Sequence, residues 1–173
     1  MRPSHAEPLT AEAFAPFGEV IQAEGALHYP INAGDAERYH DLARLDPGPG
    51  GRITVNIFRS RAFPSPVALT CLERHPLGSQ TFIPLDRRPY LVVVAPGRDA
   101  PDLDGLRAFL AGGGQGVNYR PGVWHHPLLA LEAASDFLVL DRGGDGANCD
   151  VVPLPPCLSL VLDPGVFART RRR

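Results

Sequence analysis

Nineteen prolines and 18 glycines are spread along 173 residues, and they leave few stretches in which a helix can run far. Proline removes a backbone donor and clashes with the preceding turn, while glycine gives up the most backbone freedom on ordering. Both are at home in turns, where proline presets φ and glycine accepts a positive φ. The chain therefore reads as short strands between tight reversals, not as a helical bundle.

The apolar residues between these breakers support strands. Ile53, Val55 and Ile57 alternate with Thr54, Asn56 and Phe58, the period of an extended chain. Further runs fall at 67–73, 80–85 and 90–95, the last apolar throughout and expected to be fully buried. Thr10 can cap a short opening turn anchored by Phe14 and Phe17. Leu103, Leu106, Phe109 and Leu110 lie at helical spacing between Pro101 and Gly112, which predicts a helix over 102–111. Strand patterns return at 116–119, 128–133, 136–141, 149–154 and 157–162. At least eight strands with one or two short helices predict a mainly β fold, an antiparallel barrel or sandwich. No GxGxxG, P-loop or regular βα alternation supports a nucleotide-binding α/β fold.

Size argues for a single domain, taken as residues 1–168, with the arginine-rich 169–173 as a disordered basic tail. No apolar run approaches the roughly 20 residues of a membrane span, and the N-terminus lacks an unbroken apolar signal region. Cys71, Cys149 and Cys157 form no C-x2-C pair and are an odd count, so they read as reduced, mostly buried thiols of a cytoplasmic protein. All 17 basic residues are arginine and the formal net charge is -2. Without a basic face interleaved with aromatics, nucleic acid is not an expected partner.

Two stretches carry chemistry. In Gly116–Pro127, a Pro121-Gly122 turn is followed by Trp124, His125 and His126. Adjacent residues of an extended chain point to opposite faces, so one imidazole faces the interior and the other does not. In Leu72–Gln80, Glu73 and His75 are two apart and share a face, and a turn over 76–79 returns Gln80 toward the same side. With one histidine from the first stretch, these residues make either a metal-ligand cluster or an acid–base pocket.

These stretches resemble the cupin pattern, in which a first motif of histidines and an acid is closed by a histidine following proline and glycine. Glu73 stands where the first histidine would be, His75 matches the second, Gln80 matches the acid, and His125 closes the set. More closely, INAGDAERYHDL, LERHPLGSQTFIPL, GVNYRPGVWHHPLLAL and DFLVLDRGGDGANCDV resemble the ureidoglycolate lyase family over most of residues 9–155. The resemblance implies a cupin-like barrel, a homodimer, and cleavage of (S)-ureidoglycolate to glyoxylate and urea in allantoin breakdown. It also implies a divalent metal, nickel by preference, on Glu73, His75, His125 and Gln80, although these residues suit a metal-independent site as well. Glu73, His75 and His125 are the expected acid–base groups. Gln80, Asn118 and Tyr119 are expected to hydrogen-bond substrate, and Arg59 and Arg142 to offer a planar cation to its carboxylate. His126 should face away. A different reading keeps the pocket without chemistry, as a cupin-like binding protein for a small carboxylate.

Overall fold

A computed structural model describes residues 4–156 and 158–162. The expected basic tail at 169–173 and Cys157 lie outside the described residues. Of the other two thiols, Cys71 is half-buried and Cys149 exposed.

Three layers of sheet make up the body. The middle layer has seven strands, in the order Asp150–Pro153, Cys71–Arg74, Trp124–His125, Tyr90–Ala95, Arg107–Ala111 and Glu7–Pro8, with Leu129–Ala130 also beside 90–95. The front sheet runs Gly18–Ile21, Gly116–Tyr119, Gln80–Pro84, Ser135–Gly143 and Arg52–Ser60. A small back sheet joins Ser4–His5, Ser159–Val161 and Val67–Ala68.

Strand 90–95 explains the layering. Tyr90, Val92 and Val94 pack with Phe82, Val117, Phe137 and Val139 of the front sheet. Leu91, Val93 and Ala95 pack on the other side with Val67 and Leu160 of the back sheet. A strand covered on both faces is apolar at every position, as the sequence of 90–95 is.

The same physics corrects the expected helix at 102–111. Residues 107–111 form a strand antiparallel to 90–95, with Phe109 and Ala111 in the front core and Ala108 and Leu110 in the back core. Burial on both faces put apolar residues at neighbouring positions, and with Leu103 and Leu106 from the preceding loop they imitated a helical stripe. The four-residue helix Ala11–Phe14 forms where Thr10 was expected to cap, its hydroxyl accepting from Ala13 N at 3.2 Å.

The expected barrel is also corrected: among the described residues no sheet closes. Strands 150–153 and 52–60 are free edges of the middle and front sheets, and they pair with each other nowhere. Pairing is mostly antiparallel, but 4–5 with 159–161 and 7–8 with 107–111 are parallel. Among the described residues the hairpin His28–Ile31/Ala36–Tyr39 pairs only with itself, His28 stacking on Tyr39 at 5.3 Å between ring centroids.

Strand 52–60 runs against its hydropathy. Its register pairs Phe58 with Phe137, Asn56 with Val139 and Thr54 with Asp141. Directly opposed residues share a face, and Phe137 and Val139 are wholly buried between the sheets. Thr54 and Asn56 therefore face inward, while Val55 and Ile57 face outward, 69% and 57% exposed.

Candidate active site

Two connections join the middle and front sheets at one corner. Strand 71–74 of the middle sheet leads through the 76–79 turn into strand 80–84 of the front sheet. Strand 116–119 of the front sheet leads back through the Arg-Pro-Gly turn into strand 124–125 of the middle one. Gly122 holds that turn at φ +79, a left-handed value that suits glycine. Its N–H donates to the His75 carbonyl at 2.9 Å, tying the two connections together.

Cross-strand pairing then sets the side chains. His125 and Glu73 are direct partners in the middle sheet, and Tyr119 and Gln80 in the front sheet. Glu73 Oε1 lies 3.6 Å from His125 Nε2 and 4.0 Å from His75 Nε2. The Tyr119 ring stacks on His125 with centroids 4.2 Å apart and planes 12° from parallel, which fixes the imidazole's plane. His125 is 1% exposed, and Gln80 is buried beside it.

The hydrogen bonds assign the imidazole protons. His75 Nδ1 lies 2.6 Å from the Asn148 carbonyl and His125 Nδ1 2.9 Å from that of Val123. A carbonyl only accepts, so both Nδ1 atoms carry hydrogen. In the neutral rings the lone pairs are therefore on the Nε2 atoms, both turned toward Glu73. His125 Nε2 also meets Gln80 Oε1 at 3.2 Å. Two acceptors do not bond, so this contact belongs to the imidazolium, and a neutral His125 requires Gln80 to turn its amide nitrogen instead. Gln80 can thus accompany either protonation state.

Burial pushes the Glu73 carboxyl up, but hydrogen bonding to His125 and the neighbouring imidazole charges outweigh it and leave it below its ordinary value. At 3.6 Å the Glu73–His125 contact is long for a hydrogen bond, and the attraction between the carboxylate and the ring is chiefly one of charge. Burial, aided by the Glu73 charge, pushes the Tyr119 phenol above its ordinary range, keeping it protonated.

Glu73, His75 and His125 also offer ligand atoms within 4.8 Å of one another. His75 Nε2 is buried without a hydrogen-bond partner, as an atom with its lone pair aimed at an ion would be. Two imidazoles and a carboxylate, with an amide oxygen alongside, are a donor set suited to a divalent ion.

The other expected site residues lie on the far side of the front sheet. Asn118 donates to Glu19 Oε2 at 2.8 Å and to the Arg44 carbonyl at 3.0 Å, opposite in parity to Tyr119. Arg142 reaches the carbonyls of Pro47, Pro49 and Asp145 and pins that loop. Arg59 forms an exposed two-bond pair with Asp136, at 2.7 and 2.8 Å. The inward parity belongs instead to Asp141, next to Arg142, and to Asn56, Thr54 and Arg52 on the strand of Arg59. The alternation of 52–58 carries that signal, Arg52, Thr54 and Asn56 forming a polar set opposite Ile53, Val55 and Ile57.

The ureidoglycolate lyase family model matches residues 1–161. A "Ureidoglycolate lyase" of Burkholderia mallei (strain NCTC 10229) is 56% identical over 91% of this chain and 92% of its own. One from Burkholderia cepacia is 57% identical over 91% and 90%. One from Pseudomonas syringae pv. syringae (strain B728a) is 51% identical over 95% and 97%. Among solved structures, a 3'-monoepimerase from Streptomyces bikiniensis aligns over 94% of this chain and 84% of its own at 14% identity and TM-score 0.48, a likeness that leaves the fold to be read from the strands themselves.

Proposed function

The chain belongs to the ureidoglycolate lyase family, and on that premise we propose that it splits (S)-ureidoglycolate into glyoxylate and urea in allantoin breakdown. The observation that carries this reading is the convergence of Glu73, His75, His125 and Gln80 at the corner between the sheets. The reaction is an elimination. A base removes the hydroxyl proton, the carbon–oxygen double bond forms, the carbon–nitrogen bond breaks, and the urea nitrogen leaves with a proton. No water is consumed, so the enzyme is a carbon–nitrogen lyase.

In this proposal His125, with its Nε2 lone pair beside Glu73, takes the hydroxyl proton. His75, in its protonated form, delivers a proton to the departing nitrogen. Glu73 stays ionised and stabilises whichever ring is cationic, while Gln80 follows the change at His125. Tyr119 holds the His125 plane. In place of these proton-transfer roles for the two imidazoles, a divalent metal, nickel in the reading by resemblance, would be held by Glu73, His75, His125 and Gln80 and would supply polarisation of the hydroxyl.

Purified protein is expected to release urea and glyoxylate in equal amounts without ammonia, measured by coupled assay. Ammonia in step with glyoxylate would indicate attack on the ureido carbon instead. Absence of turnover across metal conditions would favour a binding protein for a small carboxylate.

Among the described residues no helix is long and apolar enough to cross a membrane, and the free thiols of Cys71 and Cys149 favour the cytoplasm. We further propose a homodimer in which a second copy covers the outward face of strands 52–60 and 135–143. There Val55 pairs with Leu140 and Ile57 with Leu138, an apolar patch at a free sheet edge. Sedimentation should give a dimer mass, and Ile57→Asp should give a monomer mass with a melting temperature that no longer depends on protein concentration. A monomeric parent protein rejects this surface.

A further inference from the structure

We propose that the inner face of the front sheet recognises both ends of the substrate, Asp141 and Asn56 receiving the ureido group and Arg52 the carboxylate; this rests on the lyase reading above. The placement follows from register. Val139 is buried between the sheets, and Asp141, two residues on, shares its face. Leu140 is paired with Thr81, so the next step in that register sets Asp141 beside Gln80, with Cα atoms about 5 Å apart. Gln80 touches His125. The wall is therefore continuous with the acid–base corner.

Counting donors and acceptors defines what the wall can bind. Asp141 Oδ1 accepts from the Thr54 hydroxyl and from Asn56 Nδ2, the latter at 3.0 Å. Asn56 Nδ2 also reaches Thr54 Oγ1 at 3.1 Å. The donors of this trio are thus spent on one another, and the Asn56 amide orientation is fixed by them. Asp141 Oδ2 and Asn56 Oδ1 are left, two acceptors without a partner among the described residues. A group rich in N–H and free of negative charge fits them, which describes a ureido terminus with its three hydrogens. A carboxylate would be repelled by Asp141, so the wall also dictates which way round the substrate lies.

Arg52 supplies the opposite preference. It pairs with Gly143 across the strands, and a Cβ at Gly143 would meet Thr54 Cγ2 at 2.6 Å and the Arg52 guanidinium carbon at 3.4 Å. The guanidinium therefore lies over the same face as Thr54. Arg52 has no ion pair or hydrogen bond among the described residues, unlike Arg59 and Arg142. Its planar fork is suited to both oxygens of a carboxylate.

Two probes separate the ends. Ureidoacetate carries the ureido group and carboxylate but no hydroxyl, so it cannot eliminate; glycolate carries carboxylate and hydroxyl without the ureido group. By calorimetry, Asp141→Asn and Asn56→Ala should each weaken ureidoacetate about 10- to 100-fold and leave glycolate within about twofold. Arg52→Ala should weaken both probes by a similar factor. Asn56→Ala leaves Asp141 in place and reads the same wall if Asp141→Asn is unstable. The wall is rejected if wild type fails to bind ureidoacetate, if both wall variants retain its affinity, or if glycolate suffers equally. Wild-type protein that binds ureidoacetate yet releases no urea from ureidoglycolate would reject the lyase reading and not the wall.

Discussion

Replacing His125 with alanine is expected to lower turnover by about 100- to 10,000-fold, the usual span of a general acid–base contribution. His126→Ala is the internal control, because the two residues share one turn, the neighbouring Trp124 and the following Pro127. His126 has both ring nitrogens occupied: Nδ1 donates to the Pro127 carbonyl at 2.8 Å, and Nε2 accepts from Thr70 N at 3.2 Å. Burial holds it below the ordinary imidazole range, against smaller opposing effects of the Pro127 carbonyl and Glu73. It is a neutral structural tie, so its loss should appear mainly in melting temperature. Damage to the turn itself would affect both variants alike. Steady-state kinetics, metal content and melting of both proteins make the check. Activity and bound metal lost together from His125→Ala would assign a ligand role. A worse defect in His126→Ala would overturn the inward assignment.

Glu73→Gln should cost about 100- to 1,000-fold in turnover, the scale of removing one preorganised electrostatic partner of a developing charge. The substitution keeps the shape but removes the negative charge that both imidazoles face at 3.6 and 4.0 Å. It also has a pH signature. The folded Glu73 carboxyl lies below its ordinary value, so the folded protein binds fewer protons there than the unfolded chain. The stabilisation is fully present above the unfolded value and is lost as pH falls through the folded one. The stability difference between wild type and Glu73→Gln should therefore shrink with acidification in that window and stay level above it. Denaturant melts over a pH series test this. A difference that grows toward acid would mean that Glu73 is held protonated, and its charge role would fall.

Much of this site was legible because its residues are local in sequence. Glu73 and His75 are two apart, and Gln80 follows one tight turn. Pro121-Gly122 announces the turn before His125. Local geometry sets those relations, and local geometry is what turn residues and period two describe. The family resemblance rested on the same blocks. Distinguishing Asn118 from Tyr119, or Asp141 from Arg142, needed more. Each pair is adjacent on one strand, so one member faces the site and the other the opposite surface, and the chain alone does not say which.

By itself the sequence determined that the chain is a turn-rich, mainly β protein of the ureidoglycolate lyase family, with a carboxylate, an amide and imidazoles drawn to one corner. Tertiary structure alone decided three things. Strand 107–111 is extended because it is covered on both faces, a coverage supplied by segments distant in sequence. The sheets stay open because the edges at 52–60 and 150–153 do not meet, and pairing between remote edges leaves no local pattern. Strand 52–60 turns Thr54 and Asn56 inward and Val55 and Ile57 outward, opposite to what hydropathy favours for a core-facing strand. Its register is held by nine paired positions with strand 135–143, whose Phe137 and Val139 fill the core and leave the polar set of its partner on the same inward face.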